Sequence, residues 1–308
     1  MALDRAFISP TGLRFDRNWV ITDLSGKMFT QREKPQLALV ETEVTPPEAL
    51  SKAAPVLAGA ELVLRAPGMD ELRVPLQATA GLQPTLVPVT VWDWSGQGAD
   101  EGPAAAEWLT KYLGTTARLV RYVGKAGQGP LPSDDPTRRQ VDPSWAPGSF
   151  ETAFADGFPF LLANEASLED LNNSMALPIP IDRFRPNLVV GGAGAWEEDS
   201  WQAVRAQAPA NGASGGNPVT FELVKPCDRC RVPTIDQATG IRSKENEPTE
   251  TLHRLRSGRV LGWTNPPPFK NSVFFAWNLV TQSNGPVSVG DSLEVVSRRE
   301  GVPLPIAA

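Results

Sequence analysis

Apolar and polar positions alternate in short runs along most of this chain, and the runs break often. Residues 18–32, "NWVITDLSGKMFTQR", alternate up to Leu24, turn at Ser25-Gly26 and lead back from Met28 to Arg32, which predicts a hairpin. "LALVETEV" (37–44), "ELVLRA" (61–66), "ELRVPL" (71–76) and "TLVPVTVWDW" (85–94) predict further strands, so the chain before Ser95 is expected to be mostly β. "SGQGADEGP" (95–103) is rich in Gly and acid and is expected as a linker. "DEGPAAAEWLTKYLG" (100–114) predicts a helix, with Pro103 in its first turn and Gly114 as its stop. Beyond it, "ARLVRYV" (117–123) predicts a strand, "NEASLEDLNNSM" (164–175) a helix capped by Asn164, and "NLVVGG" (187–192) a buried strand. "VTFELVKP" (219–226) predicts a strand, "ETLHRLRSG" (250–258) a helix and "VSVGDSLEVVSR" (287–298) closing strands.

Between these elements, residues 124–149 carry few apolar runs, and a loop of that length is expected to lie over a site. "APANGASGGNP" (208–218) reads as a flexible turn region. With 30 Pro and 26 Gly in 308 residues, short elements are favoured over long helices. The picture is an α+β, β-rich chain of two lobes with a few short helices.

Composition narrows the function. An apolar share of 41% suffices for substantial cores. A net charge of −6 argues against nucleic acid as the main partner, because phosphate binding needs a basic face. No run of about 18 apolar residues is present, so no membrane span is expected. The opening "MALDRAFISPTGL" has neither a secretory core nor the Arg-rich pattern of a transit peptide. Two cysteines make no disulfide framework, and a reducing, cytosolic compartment is expected.

Both cysteines fall in "KPCDRC" (225–230). A structural zinc site needs four ligands; Cys227, Cys230 and the single histidine, His253, supply three, and His253 reads better as a polar surface residue on its helix. A redox dithiol normally opens a helix, whereas Pro226, Pro233 and "DQATG" suggest a loop. A single functional thiolate at Cys230 is the third reading, since Lys225, Arg229 and Arg231 favour the charged form. Ordinary loop cysteines among solvated cations are the fourth.

Two further patterns bear on chemistry. "NLVVGGAGAWEEDSW" puts glycines after a strand, but Glu197 stands where a dinucleotide loop needs its third glycine, so we read a turn packed by Trp196 and Trp201. Arg17, Arg183 and Arg185 lie on non-repetitive segments, and several such arginines could form an anion pocket if they converge.

Taken together, "GLRFDRNWVITDLSGKMFTQREKPQLALV", "FPFLLANEASLEDLN", "FRPNLVV", "EDSW", "KPCDRCRVPTIDQATG" and "SVGDSLEVV" resemble, in order, the N-terminal β domain and the MOSC domain of MOSC-family molybdenum enzymes, the amidoxime-reducing components in particular. The resemblance implies an N-terminal β-barrel-like domain over 1–95, a linker and helix over 96–120, and a MOSC-type β-barrel domain over 121–300 that binds the molybdenum cofactor (Mo-molybdopterin). It implies Cys230 as the molybdenum ligand and catalytic centre, with Cys227 shaping the loop. It further implies cofactor contacts from Arg17, Asp156, Gly157, Phe158, Arg185, Asn187, Asp228 and Arg229; relatives often carry Ser at the position of Asp228.

The activity implied is reduction of N-hydroxylated compounds (amidoximes, hydroxylamines, with nitrite to nitric oxide as a further reaction). Electrons would come from NADH through cytochrome b5 reductase and cytochrome b5, and nitrate reductase is a further partner the resemblance allows. Because cytochrome b5 is acidic, a local basic patch is expected. Relatives begin with a strand and a "YPxKS" motif that contacts the cofactor; this sequence starts past that point, so either the segment has been removed or other groups replace it. The compartment expected is the cytoplasm, or the mitochondrial outer membrane if an anchor precedes the sequence. Cofactor sulfuration and non-catalytic cofactor carriage are the alternatives within the same resemblance.

Overall fold

The computed structural model describes residues 3–9, 11–51, 56–77, 84–124, 135–208 and 217–306. In chain order its strands and helices are β1 (Arg5–Ser9), β2 (Gly12–Leu13), β3 (Trp19–Thr22), β4 (Glu41–Thr45), β5 (Glu61–Arg65), β6 (Leu72–Pro75), β7 (Leu86–Val91), β8 (Trp94–Asp100), α1 (Pro103–Leu113), β9 (Arg118–Arg121), β10 (Phe160–Asn164), α2 (Glu165–Asn173), β11 (Leu188–Val190), β12 (Trp201–Gln207), β13 (Val219–Asp228), α3 (Thr249–Arg256), α4 (Gly258–Leu261), β14 (Phe274–Val280), β15 (Gly285–Ser288) and β16 (Ser292–Arg298). The architecture is β-rich α+β, as the alternating pattern implies.

The first half forms two small sheets, β3-β9-β8-β7 and β4-β5-β6. Leu62, Leu64, Leu72 and Val74 share a core with Trp108, Leu109 and Leu113 of α1. Pro103 begins α1 and Gly114 ends it in the left-handed conformation, as the sequence indicates. "SGQGADEGP" is not a plain linker: β8 runs to Asp100 and pairs with β7 and β9. Its glycines serve packing, since a Cβ at Gly96 would strike the Trp94 ring and one at Gly98 would strike Val120. "LALV" is also not a strand. A short 3-10 turn over Pro35–Leu39 precedes β4, and Tyr112 Oη donates to the Gln36 carbonyl there.

The second half is built on a six-stranded sheet ordered β11-β10-β14-β13-β12-β16. Alternation sorts its side chains to two faces. Phe160 and Leu162 join Phe221, Leu223, Trp277 and Leu279 on one face, while Leu161 and Ala163 join Leu171, Leu252 and Phe275 under α2 and α3 on the other. β11 lies at the edge of this sheet and is only part-buried, so "NLVV" is not the fully buried strand expected. The chain's first strand, β1, pairs with β15, and its Ile8 enters the core of the larger sheet. Asn164 caps α2 by accepting the Ala166 N–H. Among the described residues no helix is long and apolar enough to cross a membrane. Most of "APANGASGGNP" and the first part of the loop after Gly124 lie outside the described residues.

Candidate functional site

Strand β13 delivers the cysteine segment. Its ladder with β14 shifts register between Leu223 and Lys225 and again between Pro226 and Asp228. Such bulges re-aim side chains, and Pro226, with no N–H to give, is tolerated at one. Cys227 packs against the core that holds Phe184 and Phe275, whereas Cys230 is exposed; both are free thiols. Burial raises the Cys227 pKa above the ordinary thiol value, although nearby Arg229 acts the other way. Arg229 Nη1 donates to the Cys227 sulfur at 3.0 Å, and the Val232 N–H donates to Cys230 Sγ at 3.5 Å. The two thiols are therefore not equivalent. In the native protein Cys230 should alkylate with iodoacetamide about tenfold or more faster than Cys227, the two equalising in denaturant. Peptide mass spectrometry reads both positions, and equal native rates would contradict this assignment.

The loop after Cys230 is tied down by Asp236. Its Oδ1 accepts from Ala238 N, Thr239 N and Thr239 Oγ1, while Oδ2 pairs with Arg183 at 2.9 Å. Arg183 also donates to the Pro233 carbonyl, so it holds the loop rather than an anion. Gly240 has φ of +68°, and a Cβ there would lie 3.3 Å from the Pro35 carbonyl oxygen, so glycine lets the loop close on the N-terminal half without strain. Gln31 and Gln237 exchange side-chain hydrogen bonds, and Arg242 donates to the Arg32 carbonyl at 2.9 Å. Two distant motifs, "TQREKPQLAL" and "TIDQATG", are thus one interface.

Three arginines meet beside it. Arg17 Nη2 donates to the Arg185 carbonyl at 2.8 Å, and Arg229 Nη2 donates to the adjacent Phe184 carbonyl at 3.0 Å. Arg17 and Arg185 both have positive φ, 52° and 55°, conformations that store strain in a side chain of this size. Burial lowers the Arg185 pKa, and repulsion from Arg17 and Arg229 lowers it further against Asp156 and Asp16. Arg185 is nonetheless an exposed residue rather than part of the core. Among the described residues no hydrogen bond or ion pair engages its guanidinium. The Nε atoms of Arg17 and Arg229 are buried without hydrogen-bond partners, that of Arg17 lying 3.4 Å from an Asp16 oxygen.

The other expected residues stand around this cluster in different roles. The Asn187 amide oxygen accepts the Leu161 N–H (2.9 Å) and its amide N–H donates to Asp16 (2.6 Å), so it braces Arg17 through Asp16. Asp156 is exposed and accepts the Trp92 indole N–H at 3.2 Å. Gly157 is half-buried, and Phe158 packs against Val141, Phe150 and Val224. Asp228 is exposed and pairs with Lys225 at 3.2 Å. His253 is exposed on α3.

Sequence reading missed Trp92 and Arg139. Arg139 is buried and binds the carbonyls of Ala153, Ala155 and Asp156, holding the segment that presents Asp156; burial lowers its pKa to about 10. Its signal was an arginine in the long loop expected over a site. An open groove of about 710 Å³ lies elsewhere, against α1 between Leu24, Glu107 and Lys111, and includes none of these residues.

In this β-rich protein Arg17 and Arg229 thus bind adjacent carbonyls, and Arg229 also reaches the Cys227 sulfur, three residues before the exposed Cys230. The sequence matches the MOSC N-terminal beta barrel domain over residues 1–116 and the MOSC domain over 150–294. Mitochondrial amidoxime reducing component 2 of Bos taurus is 32% identical over 94% of this chain and 77% of its own. Mitochondrial amidoxime-reducing component 1 of Danio rerio is 30% identical over 90% of this chain and 73% of its own, and component 2 of Homo sapiens is 29% identical over 90% and 72%. The chain belongs to the MOSC family and is related to the amidoxime-reducing components.

Proposed function

We propose that this chain is a molybdenum-cofactor reductase of N-hydroxylated compounds, supplied with electrons by cytochrome b5 and NADH-cytochrome b5 reductase and working in the cytosol. The observation that carries the reading is the meeting of Arg17 and Arg229 on the adjacent carbonyls of Arg185 and Phe184, with Arg229 also donating to the Cys227 sulfur, three residues before the exposed Cys230. The donor set fits an anionic, phosphate-bearing pterin: the Arg185 guanidinium, which no hydrogen bond or ion pair engages among the described residues, suits a forked acceptor. The accessible thiol suits a soft ligand to a metal held mainly by that group. When bound, the cofactor supplies the two-electron redox chemistry that breaks an N–O bond. Cys230 would ligate the metal, its sulfur accepting the Val232 N–H. Arg185 would neutralise the phosphate, Arg17 and Arg229 would position Arg185 and the loop, and Asp156, Gly157 and Phe158 would border the group.

The test is reduction of an amidoxime by the purified, cofactor-loaded chain with cytochrome b5, its reductase and NADH. Substrate-dependent NADH oxidation that Cys230→Ala abolishes supports the reading. A loaded but inactive protein would leave a carrier, and transfer of cyanide-releasable sulfur to the cofactor would leave a sulfurase. The segment after Cys230 carries exposed Arg231, Arg242 and Lys244, together with Ile241, which is 67% exposed. An acidic donor docking there should deliver electrons several-fold more slowly as salt is raised from low to about 0.5 M. Salt-independent kinetics would remove this docking site.

A further inference from the structure

Trp92 and Arg32 make a contact that neither the fold nor the arginine cluster explains. Trp92 occupies the tip of the β7–β8 hairpin, between the paired Val91 and Trp94, with φ of 54°. Gly and Asn adopt that conformation at hairpin tips, and a bulky side chain there is strained. The side chain is not hidden in compensation, for Trp92 is 41% exposed. Its indole N–H donates to Asp156, and the Arg32 guanidinium lies 4.5 Å over its ring. Arg32 is anchored by its backbone to the loop that follows Cys230, through Arg242, yet no hydrogen bond or ion pair engages its guanidinium among the described residues. Asp156 in turn lies within electrostatic reach of Arg185 and Cys227. A strained, exposed aromatic at the rim of a site is an outlier that calls for a functional reason.

We propose that Trp92 and Asp156 form a recognition site for a planar, delocalised guanidinium- or amidinium-type cation, whose place Arg32 holds until such a ligand displaces it. This rests on the reading of the chain as a reductase of N-hydroxylated compounds and names the ligand as the flat amidinium- or guanidinium-type cation, the more basic form that such a reduction leaves. The ring face attracts a flat cation through its quadrupole, as it attracts Arg32. The Asp156 carboxylate at the ring edge offers paired acceptors to a fork of N–H donors. An exposed cation–π contact is weak and the Arg32 side chain is long, so displacement disturbs no packed element. Nitrite, an anion, gains nothing from this surface, and hydroxylamine has no extended plane to stack.

The test is calorimetric binding of benzamidinium, a planar amidinium without an N–O bond, to the full chain, with non-planar cyclohexylmethylammonium as comparison. The parent should bind benzamidinium more tightly than the comparison cation. Trp92→Leu should weaken benzamidinium about tenfold, and Arg32→Ala should tighten it several-fold by removing the placeholder. Should Trp92→Leu fail to fold, Arg32→Ala and Arg32→Gln carry the test alone. Absence of binding in the parent, binding unchanged in Trp92→Leu, or weaker binding in Arg32→Ala would overturn the proposal. Benzamidinium is not reduced, so the result is separable from activity. An inactive protein with this binding pattern loses the reductase reading and keeps the site; an active reductase indifferent to these substitutions loses only the site.

Discussion

Arg185→Gly is expected to lose the cofactor without losing the fold. The backbone at this position has φ of 55°, which glycine adopts without strain. The carbonyl that receives Arg17 is retained. Two neighbouring cations, Arg17 and Arg229, are relieved of a like charge. Stability should therefore change by less than about 1 kcal/mol, the gain in backbone comfort offsetting the added freedom of the unfolded chain. What disappears is a guanidinium with no other partner among the described residues. Charge-assisted hydrogen bonds of this kind contribute about 1.5–3 kcal/mol, so cofactor affinity should fall roughly ten- to a hundredfold. Urea unfolding and pterin retention, measured on the same preparation, separate the two effects. A variant that unfolds early but keeps its cofactor would reverse the assignment and make Arg185 a structural residue.

Asp199→Ala should be strongly destabilising. Asp199 Oδ1 accepts the Trp277 indole N–H at 2.9 Å, and Oδ2 pairs with Arg256 at 2.7 Å. Arg256 is buried, its guanidinium lying over the rings of Trp196 and Trp263. Removing the carboxylate strands that cation in the interior, a loss of about 3–5 kcal/mol. Asp199→Asn keeps an acceptor for Trp277 and should cost less. Denaturant midpoints for the two variants check the order; equal midpoints would mean that Arg256 finds another partner. The adjacent Glu198, buried and bound by Asn164 and Ser167, makes "EDSW" a packing motif at the end of α2 rather than a site for a pyrophosphate.

Local signals in the sequence were reliable where the physics is local. Asn164 at the cap of α2, and Pro103 and Gly114 at the ends of α1, stand where capping chemistry places them. The "VKPCDRC" strand runs into a loop, as its prolines indicate. Where glycine or leucine answers to a distant neighbour, the local reading failed. Gly96 and Gly98 are small because Trp94 and Val120 come close, not because the chain turns. "LALV" bends because Pro35 opens a turn that docks on Tyr112.

The site was legible in its parts and not in its assembly. Arg17 and Arg185 stand 168 residues apart, and Gln31 and Gln237 stand 206 apart. No periodicity connects such pairs; only the closure of one lobe on the other does. The Asn187 side chain braces Asp16 and Leu161, a role that depends on how β10 and β11 pair and that no local pattern announces. Trp92 gave no signal because a tryptophan between two strand runs reads as part of a strand.

The measurement to make first is molybdenum and pterin content per chain, in the parent beside Cys230→Ala and Cys227→Ala, all expressed with ample cofactor. Near-stoichiometric metal in the parent and in Cys227→Ala, with metal or all activity lost in Cys230→Ala, is the result expected of one exposed thiolate serving an arginine-lined anion site. A parent that carries none, or two variants that lose metal equally, would contradict it.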